Sequence, residues 1–299
     1  MKQFKPMLLS NDDYDLNTLD FQFMFASRKR DGVRAEVTRE GLKGRSFKLF
    51  KNKNLQPFFK EVFENLPDDI IIDAEIYCEG MPCREIAGIC NSNDKEIPEN
   101  MKLYMFGIYH GCGFSNRIDL LIGVVKKYCK RHKCHIVKQT QVDSAIKAQE
   151  FFDNAIKDGY EGAVLMDGVG QYKCGRVTIN EGIGYKMKPF REDDLLIIGV
   201  TERMENLNES QTNELGRSFK RNTVDAKKET GIAATFICKI DDELTVRATI
   251  TGTEEYRRYV WEHQNEFIGK YACVKSMDYG TKDKPRHPTL IKIKEKCEK

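Results

Sequence analysis

FQFMFASRKRDGVRAEV, residues 21–37, reads as two short strands about a turn. Phe21 to Phe25 is apolar and strand-like, and Val33 to Val37 alternates with the period of two of a half-buried strand. Between them Arg28-Lys29-Arg30-Asp31-Gly32 reads as a tight turn, with Asp-Gly supplying a residue that tolerates positive φ. Lys29 then stands just before the turn and Arg34 five residues on, so an amine and a guanidinium can be presented to one phosphate. An amine attacks phosphorus only when neutral, and a free lysine titrates near ~10.4. Neighbouring cations lower that value and also hold the phosphate under attack. By itself the pattern K-x-D-G-x-R also suits a charge-rich surface turn.

Working outward, 299 residues suffice for two domains of ordinary size. Hydrophobic residues make up 40% and charged residues 32%, the balance of a soluble globular chain. The formal net charge is only +3, so a polyanion would have to be met by basic residues concentrated locally. Ten cysteines show no framework spacing, the N-terminus is too poor in apolar residues for a signal peptide, and no apolar run approaches the ~20 residues of a membrane span. Reduced thiols in the cytoplasm, or in the DNA-containing compartment of a host cell, are the expectation. Cys129, His132, Cys134 and His135 fit no standard zinc spacing and are crowded by lysine and arginine, which reads as the basic end of a surface helix running into a strand.

Leu55 to Leu66 has helical periodicity and stops at Pro67-Asp68-Asp69. Ile70 to Tyr77 is a strand candidate, as is Lys102 to Tyr109. Ile118 to Arg131 and Ser144 to Lys157 read as amphipathic helices, with a strand from His135 to Gln141 between them. Gly162 to Met166 and Gly184 to Lys188 are the next strands, and Pro189 punctuates the chain. Beyond it lie short apolar runs, Leu195 to Thr201, Ala233 to Ile240, Leu244 to Thr249 and Tyr271 to Met277, with one helix from Glu254 to Glu266. That is the pattern of a small antiparallel barrel. Arg203 to Gly231 is polar and too long for an ordinary hairpin connection, so it reads as a functional or disordered loop.

The Lys29 turn does not stand alone. Asp73 and Glu75, two apart on a strand, share one face. Glu161-Gly162 precedes an apolar strand, Lys186 and Lys188 share a face, and Phe106 lies within a strand. Singly, each has a dull explanation as a solvent-facing charge or a core aromatic. Together they supply a nucleophile, cations for a triphosphate, carboxylates for a divalent metal or ribose, and an aromatic for a base.

Six ordered motifs resemble those of the ATP-dependent DNA ligases, a family of the covalent nucleotidyltransferase superfamily, and most of all its minimal viral and phage members. They are Lys29 to Arg34, Gly44-Arg45-Ser46-Phe47-Lys48, Asp73-Ala74-Glu75-Ile76, Met105-Phe106-Gly107-Ile108, Tyr160-Glu161-Gly162-Ala163-Val164, and Tyr172-Lys173-Cys174-Gly175-Arg176 running on to Lys186-Met187-Lys188-Pro189. Ala74 stands where glycine is more usual, Gly107 where aspartate is usual, and Ser27 where many relatives have glutamate. Gly269-Lys270-Tyr271 and Pro285-Arg286-His287-Pro288, with Lys294 after them, resemble the family's OB-domain ending.

The resemblance implies an α+β nucleotidyltransferase (adenylation) domain of antiparallel sheets and helices over 1–189, then a small OB-fold β-barrel over 190–299. It implies ATP as cofactor with Mg²⁺ or Mn²⁺, nicked duplex DNA as partner, and a monomer. Lys29 would carry AMP, and Ser27 would lie beside the adenine on which Phe106 stacks, a contact of roughly 1–3 kcal/mol. Glu75 would meet ribose or metal-bound water, and Glu161 would help place the metal. Arg34, Arg45, Lys186 and Lys188 would hold AMP and later the phosphate of the nick. Arg286 and Lys294 would orient pyrophosphate in the first step, from a mobile domain hinged near Phe190 to Asp194. Arg176 would meet DNA. Within 203–231, Arg217, Lys220, Arg221, Lys227 and Lys228 stand against one acid, Asp225, from Gly216 to Lys228, and a latch over the duplex is implied there. An RNA ligase, a GTP-dependent RNA-capping guanylyltransferase, and an inert OB-containing nucleic-acid clamp are the competing readings.

Overall fold

The two strands about Asp31-Gly32 do not form a hairpin. β1 (Met24–Lys29) and β2 (Val33–Thr38) belong to different sheets, and residues 30–32 carry the chain from one to the other. Lys29 is the last residue of β1, not part of the turn. Gly32 has no positive φ. It is needed for another reason, since a Cβ there would lie 2.4 Å from the Ile76 carbonyl oxygen and 2.8 Å from Glu75 Cγ.

The computed structural model describes residues 5–10, 12–212, 218–223, 225–279 and 284–295. Two compact units part between Lys188 and Pro189. After β2 the first unit runs through β3 (Gly41–Lys43), α1 (Leu55–Phe63), β4 (Ile72–Cys78), α2 (Cys83–Cys90), β5 (Met101–Ile108), α3 (Phe114–Tyr128), β6 (Cys134–Ile136), β7 (Thr140–Val142), α4 (Ala145–Lys157), β8 (Gly162–Asp167) and β9 (Gly184–Met187). One sheet has the order β7-β1-β8-β9 and the other β3-β2-β4-β5-β6, giving an α+β unit of mixed sheets and helices. The strand expected over His135 to Gln141 is two short strands, one in each sheet, and α2 is a helix that the sequence did not announce. Gly88 sits inside α2, and Pro82 and Cys83 begin it, so its propensity is weak and only the burial of Ile86, Ile89 and Cys90 secures it.

Burial follows sequence periodicity. In α1, Leu55, Phe59, Val62 and Phe63 face the core at helical spacing. In α4, the Ser144 hydroxyl caps the Lys147 amide at 3.3 Å. Ala35, Val37, Ile72, Ala74 and Ile76 line one face of the second sheet and pack with α1, leaving Arg34, Glu36, Asp73 and Glu75 on the other. Met24, Ala26, Ala163, Leu165 and Met187 line one face of the first sheet with Ala148 of α4 against them. Cys129 and Cys134 are buried in the second sheet's core.

The second unit holds β10 (Arg191–Asn206), β11 (Ser210–Thr212), β12 (Ser218–Lys220), β13 (Lys227–Lys239), β14 (Thr245–Thr249), α5 (Glu254–Glu262), β15 (Tyr271–Tyr279) and β16 (Pro285–Lys294). Five strands close a barrel in the order β10-β13-β14-β16-β15 about Ile197, Phe236, Ala248, Val260 and Val274. Two expectations need correction. Residues 203–231 are not a plain loop among the described residues: the β10–β13 ladder continues out to Asn206 opposite Lys227, and β11 pairs with β12. Its strands are solvated on both faces and carry no apolar alternation, while backbone bonds, and the Asn206 and Asn208 side chains on the Arg221 carbonyl at 2.8 and 2.6 Å, define it. The expected hinge over Phe190 to Asp194 is also mostly strand, because Arg191 through Leu196 pair with β15. No described helix is long and apolar enough to cross a membrane.

Candidate active site

Alternation along the first sheet puts Ser27 and Lys29 of β1 on the face opposite its α4-side core. Ser27 lies opposite Val164, which lies opposite Lys186 of β9, while Lys29 lies opposite Gly162. Gly162 is indispensable here: its φ is +154°, and a Cβ would stand 2.1 Å from the Met187 carbonyl oxygen. The preceding residue, Glu161, donates its amide to the Lys29 carbonyl at 3.0 Å. Its carboxylate accepts from the Lys29 amine and, at 2.6 Å, from Lys188. Burial works to raise the Glu161 pKa, yet Lys29 and Lys188 hold it below the usual carboxylate range.

The second sheet contributes the opposing charges. Arg34 pairs with Asp73 at 2.7 Å, and Asp73 is 3% exposed. Burial pushes the Glu75 carboxyl up to about 7, with Lys29, Arg34 and Arg45 pulling it back and Glu161 adding to the rise. Burial likewise lowers Lys186 to about 8, helped by Lys188, Arg176, Lys29 and Arg45. Charges from both sheets therefore act on one another, and the site is the cleft where their polar faces meet. Glu36, opposite Asp73, is pushed up to about 7 by burial and then by Asp73, and its Oε1 is buried with no hydrogen-bond partner among the described residues.

Phe106 owes its placement to a bulge. Asp73 pairs with Gly107 and Ala74 with Met105, so Phe106 opposes no residue of β4. Met105 and Ile108 both face the core, which leaves Phe106 half-buried on the polar side with the Arg34 guanidinium 5.3 Å from its ring centre. Arg45 is exposed beyond β3, and Arg176 gives Nη1 to the Leu9 carbonyl at 3.1 Å.

Ser27, Lys29, Arg34, Arg45, Glu75, Phe106, Glu161, Arg176, Lys186 and Lys188 thus all lie in the first unit. Arg286 and Lys294 lie on β16 of the second, where Lys294 pairs with Asp194 at 2.8 Å. Lys220, Arg221, Lys227 and Lys228 are exposed on the β11–β12 arm and its base; Arg217 lies outside the described residues. Sequence reasoning missed Tyr172 and Glu36. Tyr172 donates to Asp73 at 2.6 Å, and its only signal was its place at the head of a motif already singled out.

A nucleophilic amine beside a carboxylate, in a unit whose polar faces also carry Arg34, Arg45, Arg176, Lys186 and Lys188, suits attack on a phosphate. Residues 6–181 match the family model of the ATP dependent DNA ligase domain. The chain belongs to the ATP-dependent DNA ligase family. Among curated ligases, the DNA ligase of African swine fever virus (strain Badajoz 1971 Vero-adapted) is 25% identical over 185 residues, 58% of this chain and 44% of that protein. A probable DNA ligase of Beutenbergia cavernae is 26% identical over 190 residues, 58% of this chain and 35% of its own length. The chain thus matches less than half the length of these ligases. Solved ligases extend the shared fold further: a Lig E DNA ligase at TM-score 0.72 and 16% identity covers 97% of this chain and 99% of its own. Chlorella virus DNA ligase-adenylate, at TM-score 0.55 and 21% identity, covers 99% of each.

Proposed function

We propose that this chain is an ATP-dependent DNA ligase that seals 3′-hydroxyl/5′-phosphate nicks in duplex DNA. The observation that carries the reading is the Lys29 amine at a strand end, bound to Glu161 and facing a cluster of cations in a ligase-family chain. The Lys29 nitrogen attacks the α-phosphorus of ATP, forming a P–N bond and expelling pyrophosphate. AMP then passes from Lys29 to the 5′-phosphate of the nick, and the 3′-hydroxyl attacks that phosphate and expels AMP. The protein's part is positioning and charge neutralisation.

Ser27 stands beside the base and Phe106 stacks on it; both lie on the cleft side of their sheets, as that role requires. Arg34, Arg45, Lys186 and Lys188 hold phosphate. Glu75 and Glu161 suit Mg²⁺ or Mn²⁺, which is commonly bound by one or two carboxylates plus substrate phosphates and would supply charge neutralisation at the triphosphate. Glu75 fits in a second respect: its ionisation is opposed by burial, and a cation would restore it. The first unit is read as the adenylation domain. The five-stranded barrel is read as an OB fold whose Arg286 and Lys294 serve the first step, Lys294 by exchanging Asp194 for pyrophosphate. The basic arm at Lys220, Arg221, Lys227 and Lys228, with Arg176, is read as the duplex-contacting surface of a monomer.

Incubation with labelled ATP tests the reading. The intact chain should take one AMP on Lys29, Lys29→Ala none, and the labelled protein should seal a singly nicked DNA duplex. Absence of label sinks the proposal. Label from GTP, or sealing confined to nicked RNA, would assign the chain to capping or RNA repair instead.

A further inference from the structure

Four residues close a ring of hydrogen bonds at the back of the cleft. The Met7 amide donates to the Tyr172 hydroxyl at 3.0 Å, and that hydroxyl donates to Asp73 Oδ2 at 2.6 Å. Arg34 gives Nη2 and Nε to Asp73 Oδ1 at 2.7 and 3.2 Å. Its Nη1 goes to the Met7 carbonyl at 2.7 Å, which returns the ring to its start. Three of the Arg34 nitrogens are therefore spoken for, and the plane of the guanidinium is set by Asp73 and one peptide unit.

Tyr172 is the piece of this ring that is itself anchored. The guanidinium of Arg117, a residue 1% exposed, lies 5.7 Å from the Tyr172 ring centre. Arg117 in turn donates to the Cys112 and Gly170 carbonyls at 2.6 and 2.9 Å. Beyond Met7 the N-terminal segment is tied to the segment after Tyr172: the Leu8 amide donates to the Gly175 carbonyl at 2.8 Å, and the Val177 amide donates to the Leu8 carbonyl at 2.7 Å. Without the hydroxyl, Asp73 Oδ2 and the Met7 amide would each lose a partner in a place shielded from water, and the ring would open at two points. Burial holds the Tyr172 hydroxyl in its protonated, donating form.

We infer that Tyr172 is a positioning residue for Arg34, aiming its guanidinium at the reacting phosphate through Asp73 and the Met7 peptide. The inference rests on the ligase reading above. It predicts coupling, because a residue that acts only through Arg34 has nothing to act on once the guanidinium fork is gone. Arg34→Lys keeps the charge and lacks the fork.

The test is a double-mutant cycle on single-turnover AMP transfer from pre-adenylylated protein to the 5′-phosphate of nicked DNA. Tyr172→Phe should slow transfer about tenfold in the natural background and less than about twofold in the Arg34→Lys background. Met7→Pro, which removes the Met7 amide that donates to the hydroxyl, should show the same coupled loss from a different atom. Melting temperatures of all variants accompany the rates, since a purely structural role lowers them without coupling the rates. Rate losses that multiply in the double variants overturn the inference while leaving the ligase reading intact. A natural chain that takes no AMP sinks that reading, and this one with it.

Discussion

Lys186 carries the clearest pH signature. Burial first, then Lys188, Arg176, Lys29 and Arg45, bring it down to about 8. In the unfolded chain a lysine keeps its proton to ~10.4, so between about 8 and that value the unfolded state binds more protons. The cost of housing this charge in the fold is therefore full below pH 8 and is relieved as pH rises through the window. Phosphate binding wants the opposite, the charged form. Affinity for ATP should accordingly fall as pH is raised from about 7 to about 9, and Lys186→Arg, which stays charged, should lose at least about threefold less over that range. Equilibrium nucleotide binding measures it, and superimposable pH profiles would remove Lys186 from the phosphate site. The candidate residues were legible because charges two apart on a strand must share a face, whatever the partner strand. Which charges meet was not legible: Asp73 looked like a companion to Glu75, yet it is spent on Arg34 and Tyr172.

At the scale of elements, apolar strands could be read within a few residues, as with β4, β5 and β8. The Asp-Gly crossing and the basic arm were misread for a shared reason. Local sequence marks a change of direction or a lack of apolar residues, but pairing is a long-range event. The arm is a ladder held by backbone and asparagine bonds, presenting Lys220, Arg221, Lys227 and Lys228 outward. Replacing residues 207–226 with a two-glycine turn keeps the Asn206–Lys227 pair and removes two of these four. Affinity for nicked duplex should drop about tenfold or more at 0.1 M salt, with a shallower salt dependence, while Lys29 adenylylation changes less than about threefold. Gel-shift titration at several salt concentrations reads the first and ATP labelling the second; equal loss of both would remove the arm from DNA binding.

For the whole molecule, two units with separate cores should unfold separately. Phe59, Ile72 and Leu103 belong to one core of the first unit, and Ile197, Phe236 and Val274 to the second unit's core. Calorimetry should resolve two transitions, and saturating ATP at about a hundred times its dissociation constant should raise the first unit's by several degrees, since a ligand stabilises only what binds it. One unsplit transition would contradict it. By itself the sequence pointed to the family and to a set of candidate residues, because periodicity assigns faces and the motifs carry their residue types in order. Only the tertiary structure decided that β1 and β2 lie in different sheets, that a bulge turns Phe106 to the cleft, and that Tyr172 closes a ring around Arg34. Those arrangements depend on backbone approaches and hydrogen bonds between residues as many as 165 positions apart, which no local pattern of side chains encodes.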